Sequence, residues 1–345
     1  MKILVTGTKG FLGSYIANFL KGKKYDVTGI DVGYFGKCKL KNFDKICTKF
    51  KYKSINKDFR NLKTSDFKKY DCIIHLAALS NDPIGNYNKS WTKDINSLGS
   101  YNLAKKAKQA GVKLFLFSSS CIMYGVNDTK NYITEETKPN PKTEYAKSKV
   151  EAENMISSLA SENFSPVFIR NGTIYGLSEY MRFDTVLNDF LLEAYMNKKI
   201  SIFSSGNQWR PVTHIHDVAR YFELFLNAKK VDIHNKKFNV GNNNSRIKSL
   251  AKEIKKFEKS LKVEILNKKG SDNRTYKVSF KLFKDTFPKF KFNYNISSGS
   301  KKMLKQFKLI GINKSTDFDK FIRVKWLLKL IAKKNYLDKK LYVIK

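Results

Sequence analysis

The sequence predicts an α/β fold built on a doubly wound parallel sheet, followed by a smaller C-terminal α/β lobe. Three observations predict it. A glycine-punctuated turn joins an apolar strand to a helix at the start of the chain, apolar segments then alternate with helical patterns as far as residue 170, and that rhythm loosens afterwards. Residues 2 to 6 (KILVT) read as a buried strand, 11 to 22 as a helix and 26 to 31 (DVTGID) as a second strand, which together make a βαβ unit. Apolar runs at 71 to 77 (DCIIHLA) and 112 to 118 (VKLFLFS) extend the sheet, helices are expected at 91 to 110 and 143 to 163, and FSPVFIR at 164 to 170 adds another strand. From about 171 the chain turns to loops, helices and short strands, with turn signals at SSGN (204 to 207) and GNNN (241 to 244). The expected division is 1–170 for the sheet domain, with later segments at about 211–241 returning to it, and 171–345 mainly for the second lobe. The tail FIRVKWLLKLIAKK is an amphipathic helix with Phe321, Val324, Leu327, Leu328 and Ile331 on one face. That face either packs on the domain or docks on a membrane surface.

A chain of 345 residues buries a sizeable core. Its net charge is +37, yet only eight of the 67 basic residues are arginine and the lysines are spread through every segment. Residues 246 to 345 carry 29 Lys and Arg against 8 Asp and Glu. A solvated, lysine-biased surface is the expected reading, with a polyanion or membrane role as the alternative. Cys38, Cys47, Cys72 and Cys121 form no CxxC and have no histidine at metal spacing, so neither a metal site nor a disulfide framework is expected, and a reducing cytoplasm is. Nowhere do about 18 apolar residues run together, so no membrane span is expected.

Gly7, Gly10 and Gly13, with Phe11 and Leu12 between the last two, fall where a strand gives way to a helix. A side chain at those glycines would block the tight turn or the approach of a pyrophosphate to the helix N-terminus. Asp31 ends the second strand, 18 residues beyond Gly13, placed to accept hydrogen bonds from adenosine ribose hydroxyls. A 2′-phosphate would meet that charge, and no arginine occurs among the next four residues, so NAD is favoured over NADP. Asp58, followed by Phe59 in KDFRN, ends another short strand and could cap the adenine amino group. Leu76, Ala77 and Ala78 follow the fourth strand, where small side chains permit close approach to a cofactor, whereas His75 reads as a packed core residue. Tyr145 and Lys149 lie four apart in EYAKSK and so share a helix face. An ammonium beside the phenol, together with a positive nicotinamide, favours phenolate, which makes the tyrosine a general base for hydride chemistry. A serine at the tip of the strand ending SSS would steady the same substrate oxygen.

These segments, with TGTKGFLG, HLAALSNDP, INSLGS, SSSCIMYG, RNGTIYG, RPVTHIHDVA and FNVG in the same order, resemble the extended short-chain dehydrogenase/reductase superfamily, in its NAD-dependent nucleotide-sugar epimerase/dehydratase branch. The resemblance implies a Rossmann-type sheet, NAD as cofactor and a nucleotide-diphosphate sugar as substrate. It makes Ser120, Tyr145 and Lys149 the catalytic set, with Asn96 a helix asparagine that organises the cofactor site. Family dehydratases carry an acidic pair directly after the catalytic Ser or Thr, where this chain has Cys121 and Ile122, and decarboxylases tend to carry a glutamate at the second place. A cysteine acid/base of a 3,5-epimerase would stand one residue later than Cys121. Oxidation and re-reduction at one carbon, as in a 4-epimerase, is therefore the expected reaction, serving surface polysaccharide precursor synthesis, with net reduction of a keto sugar as the alternative. The resemblance also implies a substrate lobe in which Arg182, Arg210 and Arg274 grip the diphosphate, forked guanidinium groups being suited to that contact. Asn171 in RNGTIYG is an expected substrate contact, although here the chain departs from the commoner RxxN form, which would put asparagine at Thr173. A homodimer through the helices at 91 to 110 and 143 to 163 is also implied. From a different class, a dehydrogenase-like RNA-binding protein would use the basic C-terminal region, but has no physical need for the intact Ser120, Tyr145 and Lys149.

Overall fold

Continuous apolar runs without alternation can be buried only between two layers of helices, and that is where the computed structural model, which describes residues 1–345 except 81, 127–129, 270–271, 334–335 and 345, places them. Strands β1 (Lys2–Thr6), β2 (Asp26–Asp31), β3 (Lys53–Asn56), β4 (Cys72–His75), β5 (Leu114–Ser120), β6 (Ser165–Asn171) and β10 (Lys237–Val240) form one seven-stranded sheet in the order β10-β6-β5-β4-β1-β2-β3. Every pairing in it is parallel. The chain winds outward from β1 through β2 to β3, then crosses to the other side of β1 and winds the opposite way through β4, β5 and β6. The reversal leaves a crevice at the carboxyl ends of β1 and β4, the place where open α/β sheets bind ligands.

Helix α1 (Phe11–Gly22) follows β1, and α2 (Ser100–Gln109) and α3 (Glu144–Ser157) flank β5 in sequence. The helix expected at 91 to 110 is present, wound as a π-helix over Lys93–Gly99 before α2 begins. Thr143 caps α3 by accepting from the Ala146 amide at 3.2 Å, and the helix ends at Ser157 because Ser161 and Phe164 pair to turn the chain into β6.

The second lobe contains β7 (Thr173–Tyr175), β9 (Trp209–His214) and β11 (Asn243–Arg246) in one small sheet, and β8 (Lys199–Ile202) with β12 (Lys262–Ile265) in another. GNNN thus leads into β11, antiparallel to β9. Helices α4 (Val186–Asn197), α6 (Ile247–Lys255) and α7 (Ile296–Ile310) share this lobe's apolar core. Between them the chain revisits the first half: α5 (Ile215–Leu226) packs on α1, and β10 joins the large sheet. The tail returns as well. In α8 (Arg323–Ile331), Leu327 and Leu330 are buried in the core of the first half, with Val324 and Ile331 packed against it, while Phe321 enters the lobe core. The apolar face of the tail is spent on the protein rather than left for a membrane. Among the described residues no helix is long and apolar enough to cross a bilayer.

Helix α3 is tied to the sheet by a buried ion pair. Arg170 on β6 donates from Nη2 to Glu153 Oε2 at 2.7 Å and from Nε to both carboxylate oxygens, and from Nη1 to Tyr124 Oη at 2.7 Å. Both side chains of the pair are about 2% exposed. Removing one partner strands the other charge, so Glu153→Ala is expected to lower unfolding free energy by about 3–5 kcal/mol in denaturant titration, and the Glu153→Leu/Arg170→Met double variant by distinctly less. A Glu153→Ala loss below about 1 kcal/mol would show that the pair does not anchor the helix.

Candidate active site

The crevice depends on two glycines. A Cβ at Gly13 would stand 2.0 Å from the Gly7 carbonyl oxygen, and one at Gly7, where φ is +82°, would stand 2.9 Å from the Ala77 amide nitrogen. Only hydrogen at both positions lets α1 close on the end of β1 and β1 approach the turn after β4. Gly10, Phe11 and Leu12 then open α1 with no acidic residue in its first turn, leaving a helix N-terminus suited to an anion. Opposite, Asp31 is fixed by the Lys9 amide (2.8 Å) and the Gly33 amide (2.6 Å), while burial pushes its carboxyl above the ordinary value against the pull of those amides. Asp58 and Phe59 line the same wall, although Arg60 already grips the Asp58 carboxylate, with Nη2 to Oδ2 at 2.7 Å. Leu76, Ala77 and Ala78 form the facing wall, and Thr6 Oγ1 accepts from the Leu76 and Ala77 amides.

One sequence expectation, a direct cofactor contact by Asn96, is corrected behind these walls, and a second residue, Asn171, is already engaged by the protein. Asn96 does not face the crevice: it is fully buried, accepting from the Leu79 amide at 2.8 Å and donating to the Leu79 carbonyl and Ser148 Oγ, so it braces the cofactor wall from behind. Asn171 borders the cavity, but its amide nitrogen is engaged by Ser118 Oγ, Ser119 O and Ile169 O and its Oδ1 accepts from Tyr221 Oη, so the side chain is held by the protein. His75 is a core residue, as expected, held between Thr6 Oγ1 (2.7 Å) and Ser100 Oγ (2.8 Å) and pushed by burial down to about 3.

Ser120, Tyr145 and Lys149 meet on a cavity of about 390 Å³. Ser120 ends β5 with its Oγ accepting from the Ile122 amide at 3.3 Å. Lys149 is 3% exposed, donates to the Ser118 carbonyl at 2.9 Å, and stands 5.9 Å from the centre of the Tyr145 ring. Burial pushes the ammonium down to about 8, with Glu153 opposing. Tyr145 is partly open to the cavity, yet closely enough surrounded that desolvation dominates and raises its phenol above the ordinary value; Arg182 opposes and Asp82 adds to the rise. The net effect of the protein's own surroundings is therefore to raise this phenol. Cys121 is 1% exposed and turned inward, its thiol donating to the Arg170 carbonyl at 3.1 Å, and burial drives it further towards the neutral thiol. Ile122 takes the cavity wall instead.

All three expected arginines line the cavity. Arg182 lies towards the cofactor wall, donating to Ser80 Oγ (3.2 Å) and Asp184 Oδ1 (2.7 Å). Arg210 and Arg274 converge on Asp272 from the lobe, and Arg274 Nη1 also reaches Asp82 Oδ2 at 2.6 Å. Burial would raise Asp272, but the two guanidinium groups hold it down to about 2. Sequence reasoning missed Asp82, Asp272, Tyr276 and Arg323, which also line the cavity. Arg323 carried a usable signal, being one of only eight arginines.

Among the described residues, seven buried side-chain polar atoms have no hydrogen-bond partner, and three of them, Ser119 Oγ, Thr185 Oγ1 and Arg323 Nη1, belong to residues of this one cavity. Orphaned donors in a shared wall, with the glycine cradle and a fixed carboxylate at Asp31, fit a long polar, anionic ligand such as a dinucleotide. No cluster of His, Cys, Asp or Glu suited to a metal occurs among the described residues.

The model of the NAD-dependent epimerase/dehydratase family matches residues 3–241. An uncharacterised UDP-glucose epimerase, YtcB, of Bacillus subtilis is 29% identical over 236 residues, covering 64% of this chain and 71% of the relative. A dTDP-D-glucose 4,6-dehydratase of Mus musculus is 27% identical over 281 residues, 79% and 75% of the two chains. Among solved structures, the NDP-hexosamine 5,6-dehydratase TunA superposes with a TM-score of 0.77 at 20% identity over 92% of this chain and 99% of its own. A UDP-glucuronic acid 4-epimerase of Bacillus cereus, solved with its sugar nucleotide and NAD, gives 0.73 at 24% over 89% and 99%. At these identities the superpositions establish the fold.

The buried lysine has a measurable cost. Its ordinary value near 10.4 belongs to the unfolded chain, which therefore binds the proton more tightly than the folded one. The penalty is full below about pH 8, shrinks between about pH 8 and 10.4, and vanishes above. Unfolding free energies of the wild type minus those of Lys149→Met should accordingly rise by about 3 kcal/mol from pH 7 to about pH 11, whereas a flat difference would mean that Lys149 is not destabilised by burial.

Proposed function

The chain belongs to the NAD-dependent epimerase/dehydratase family, with NAD as its cofactor, and we propose that within the family it is a nucleotide-sugar epimerase acting by transient oxidation and re-reduction at one carbon. The observation that carries this reading is the wall after Ser120. Elimination of water needs an acid and a base beside the oxidised carbon, yet Cys121 points into the core as a neutral thiol and Ile122 faces the cavity. Hydride chemistry keeps its full set of residues, whereas the dehydratase chemistry named among the relatives lacks the acid expected for it.

NAD, when bound, would supply the hydride acceptor and donor and, when oxidised, a positive charge that favours the phenolate. In the proposed cycle Tyr145, as phenolate, takes the proton of a sugar hydroxyl while Ser120 donates a hydrogen bond to the same oxygen. Lys149 holds the Ser118 carbonyl at 2.9 Å, fixing the end of β5 against α3, and places positive charge on the Tyr145 side of the cavity. On re-reduction the hydride would come back to the opposite face of the carbon while Tyr145 returns the proton to the sugar oxygen, so Tyr145 ends as it began. Arg210 and Arg274 are the proposed grip on the nucleotide diphosphate, with phosphate oxygens exchanging for part of their contacts with Asp272 and Asp82. The ring is then free to turn over between the half-reactions while its leash is held. The proposal extends to a homodimer through the helical segments 91–110 and 143–163 and to a place in surface polysaccharide precursor synthesis.

Screening nucleotide sugars for isomer exchange tests the reading. One isomer pair should interconvert without net NADH formation, and Tyr145→Phe should lower that rate by about 10³-fold or more while still binding NAD. Net stoichiometric consumption of NADH would favour a ketoreductase, and an active Tyr145→Phe variant would sink the mechanism. A second variant probes positioning. A Cβ at Gly85, in the short helix Asp82–Tyr87, would stand 2.9 Å from Tyr145 Cβ and 3.0 Å from its amide nitrogen. Gly85→Ala should therefore lower turnover by about 10- to 100-fold with NAD affinity unchanged.

A further inference from the structure

Six of the eight arginines are buried enough to line or brace the site, and five of those six close on a carboxylate. Arg60 pairs with Asp58 and Asp94, Arg170 with Glu153, Arg182 with Asp184, and Arg210 and Arg274 with Asp272. Arg323, the sixth, is 2% exposed and forms no salt bridge through its guanidinium among the described residues. Its Nη2 donates to the Tyr180 carbonyl at 3.1 Å, the Cys38 thiol lies beside the guanidinium, its plane is 4.3 Å from the centre of the Phe35 ring, and Nη1 makes no hydrogen bond of good geometry. The backbone amide of the same residue donates to Asp184 Oδ2 at 3.1 Å, which seats the start of α8 on the cavity rim. A guanidinium out of water with one edge unsatisfied is among the more costly arrangements a fold can retain. Burial and the neighbouring Arg182 both work against its charge, Cys38, Asp184 and Asp31 in its favour.

Arg323 lines the same cavity as Gly10 and Phe11, beside Phe35 and within electrostatic reach of Asp31. The segment that carries it is fastened there. Trp326 Nε1 donates to the Tyr34 carbonyl at 2.7 Å, the Tyr34 hydroxyl donates to the Leu341 carbonyl, and Arg60 Nη1 donates to the Lys340 carbonyl at 3.0 Å. The loops bearing Tyr34 and Arg60 are those that place Phe35 and Asp58 on the cavity wall.

We propose that the C-terminal segment is part of the cofactor site, and that Arg323 reaches from it to a phosphate oxygen of the dinucleotide's bridging diphosphate, opposite the N-terminus of α1. The missing partner of Nη1 is then an anion that the sequence itself does not encode. A second phosphate position exists on dinucleotides that carry a 2′-phosphate, but the strand-end carboxylate of Asp31 is the group expected to hold the ribose hydroxyls, and it disfavours a phosphate there. The inference rests on the cofactor being a dinucleotide and is independent of the epimerase reading, since its test needs no sugar. Arg323 lies 82 residues beyond the stretch that matches the family model, so the contact belongs to this chain's own tail.

Binding isotherms of full-length wild type, Arg323→Gln and Arg323→Lys, freed of bound nucleotide, for NAD, NADP, ADP and adenosine decide the matter. Arg323→Gln should weaken NAD and ADP alike, by about 10- to 100-fold, and leave adenosine unchanged, and Arg323→Lys should recover part of the loss. Without ligand, Arg323→Gln should melt no lower than wild type, because it removes an unsatisfied buried charge, while the rise in melting temperature given by saturating NAD shrinks. An equal loss for adenosine and NAD would reduce Arg323 to a structural support, a loss confined to NADP would move the contact to the 2′-phosphate, and unchanged NAD and ADP affinities would remove the contact altogether; each overturns the proposal.

Discussion

The constraint on which the site depends is the contact between Gly13 and the Gly7 carbonyl. A β-carbon at position 13 would overlap that oxygen at 2.0 Å, so the distance between the first helix and the first strand is set by the absence of one side chain. From that approach follow the open N-terminus of α1, the nearness of β1 to the turn after β4, and the crevice at the reversal of strand order. Asp31 and Ala77 then need only to end their strands to face one another across it. The catalytic candidates are positioned by a separate device, the buried Arg170–Glu153 pair that locks α3 to β6, with β4 and β5 between it and the glycines.

Much of this was legible in the chain because it is local. The strand–turn–helix unit, Asp31 at a strand end, and Tyr145 and Lys149 one helical turn apart are fixed by short stretches of backbone, and the structure places them on one cavity. What was not legible depends on partners distant in sequence. Asn96 and Asn171 carry the right residue type beside the right segments, but their amides are consumed by Leu79 and Ser148 and by the Ser118–Ser119 strand end. No spacing rule reveals that a polar side chain has already found its partners. The same holds for Tyr145, whose expected depression by Lys149 gives way to desolvation once both are enclosed.

Arginine usage shows the opposite case. In a chain where lysine fills the basic positions, a retained arginine marks a place that needs a planar, forked cation. Arg182, Arg210 and Arg274 follow that logic, and so does Arg323, overlooked because an amphipathic tail invites attention to its apolar face. Charge at the surface is a property of composition here, whereas the buried guanidinium groups describe the site. Their carboxylate partners also set its chemistry: Asp272 and Asp82 hold Arg210 and Arg274 on the cavity wall, while the acids that elimination would require are replaced by an inward cysteine and an isoleucine.

That replacement makes the central claim directly measurable. Turnover of a nucleotide sugar in deuterated water, followed by proton NMR of every ring position, reports whether any carbon–hydrogen bond is exchanged with solvent. Transient oxidation with return of the same hydride predicts a new isomer with no deuterium on any ring carbon. Deuterium at the carbon next to the oxidised one would show proton abstraction from carbon, and would contradict the account.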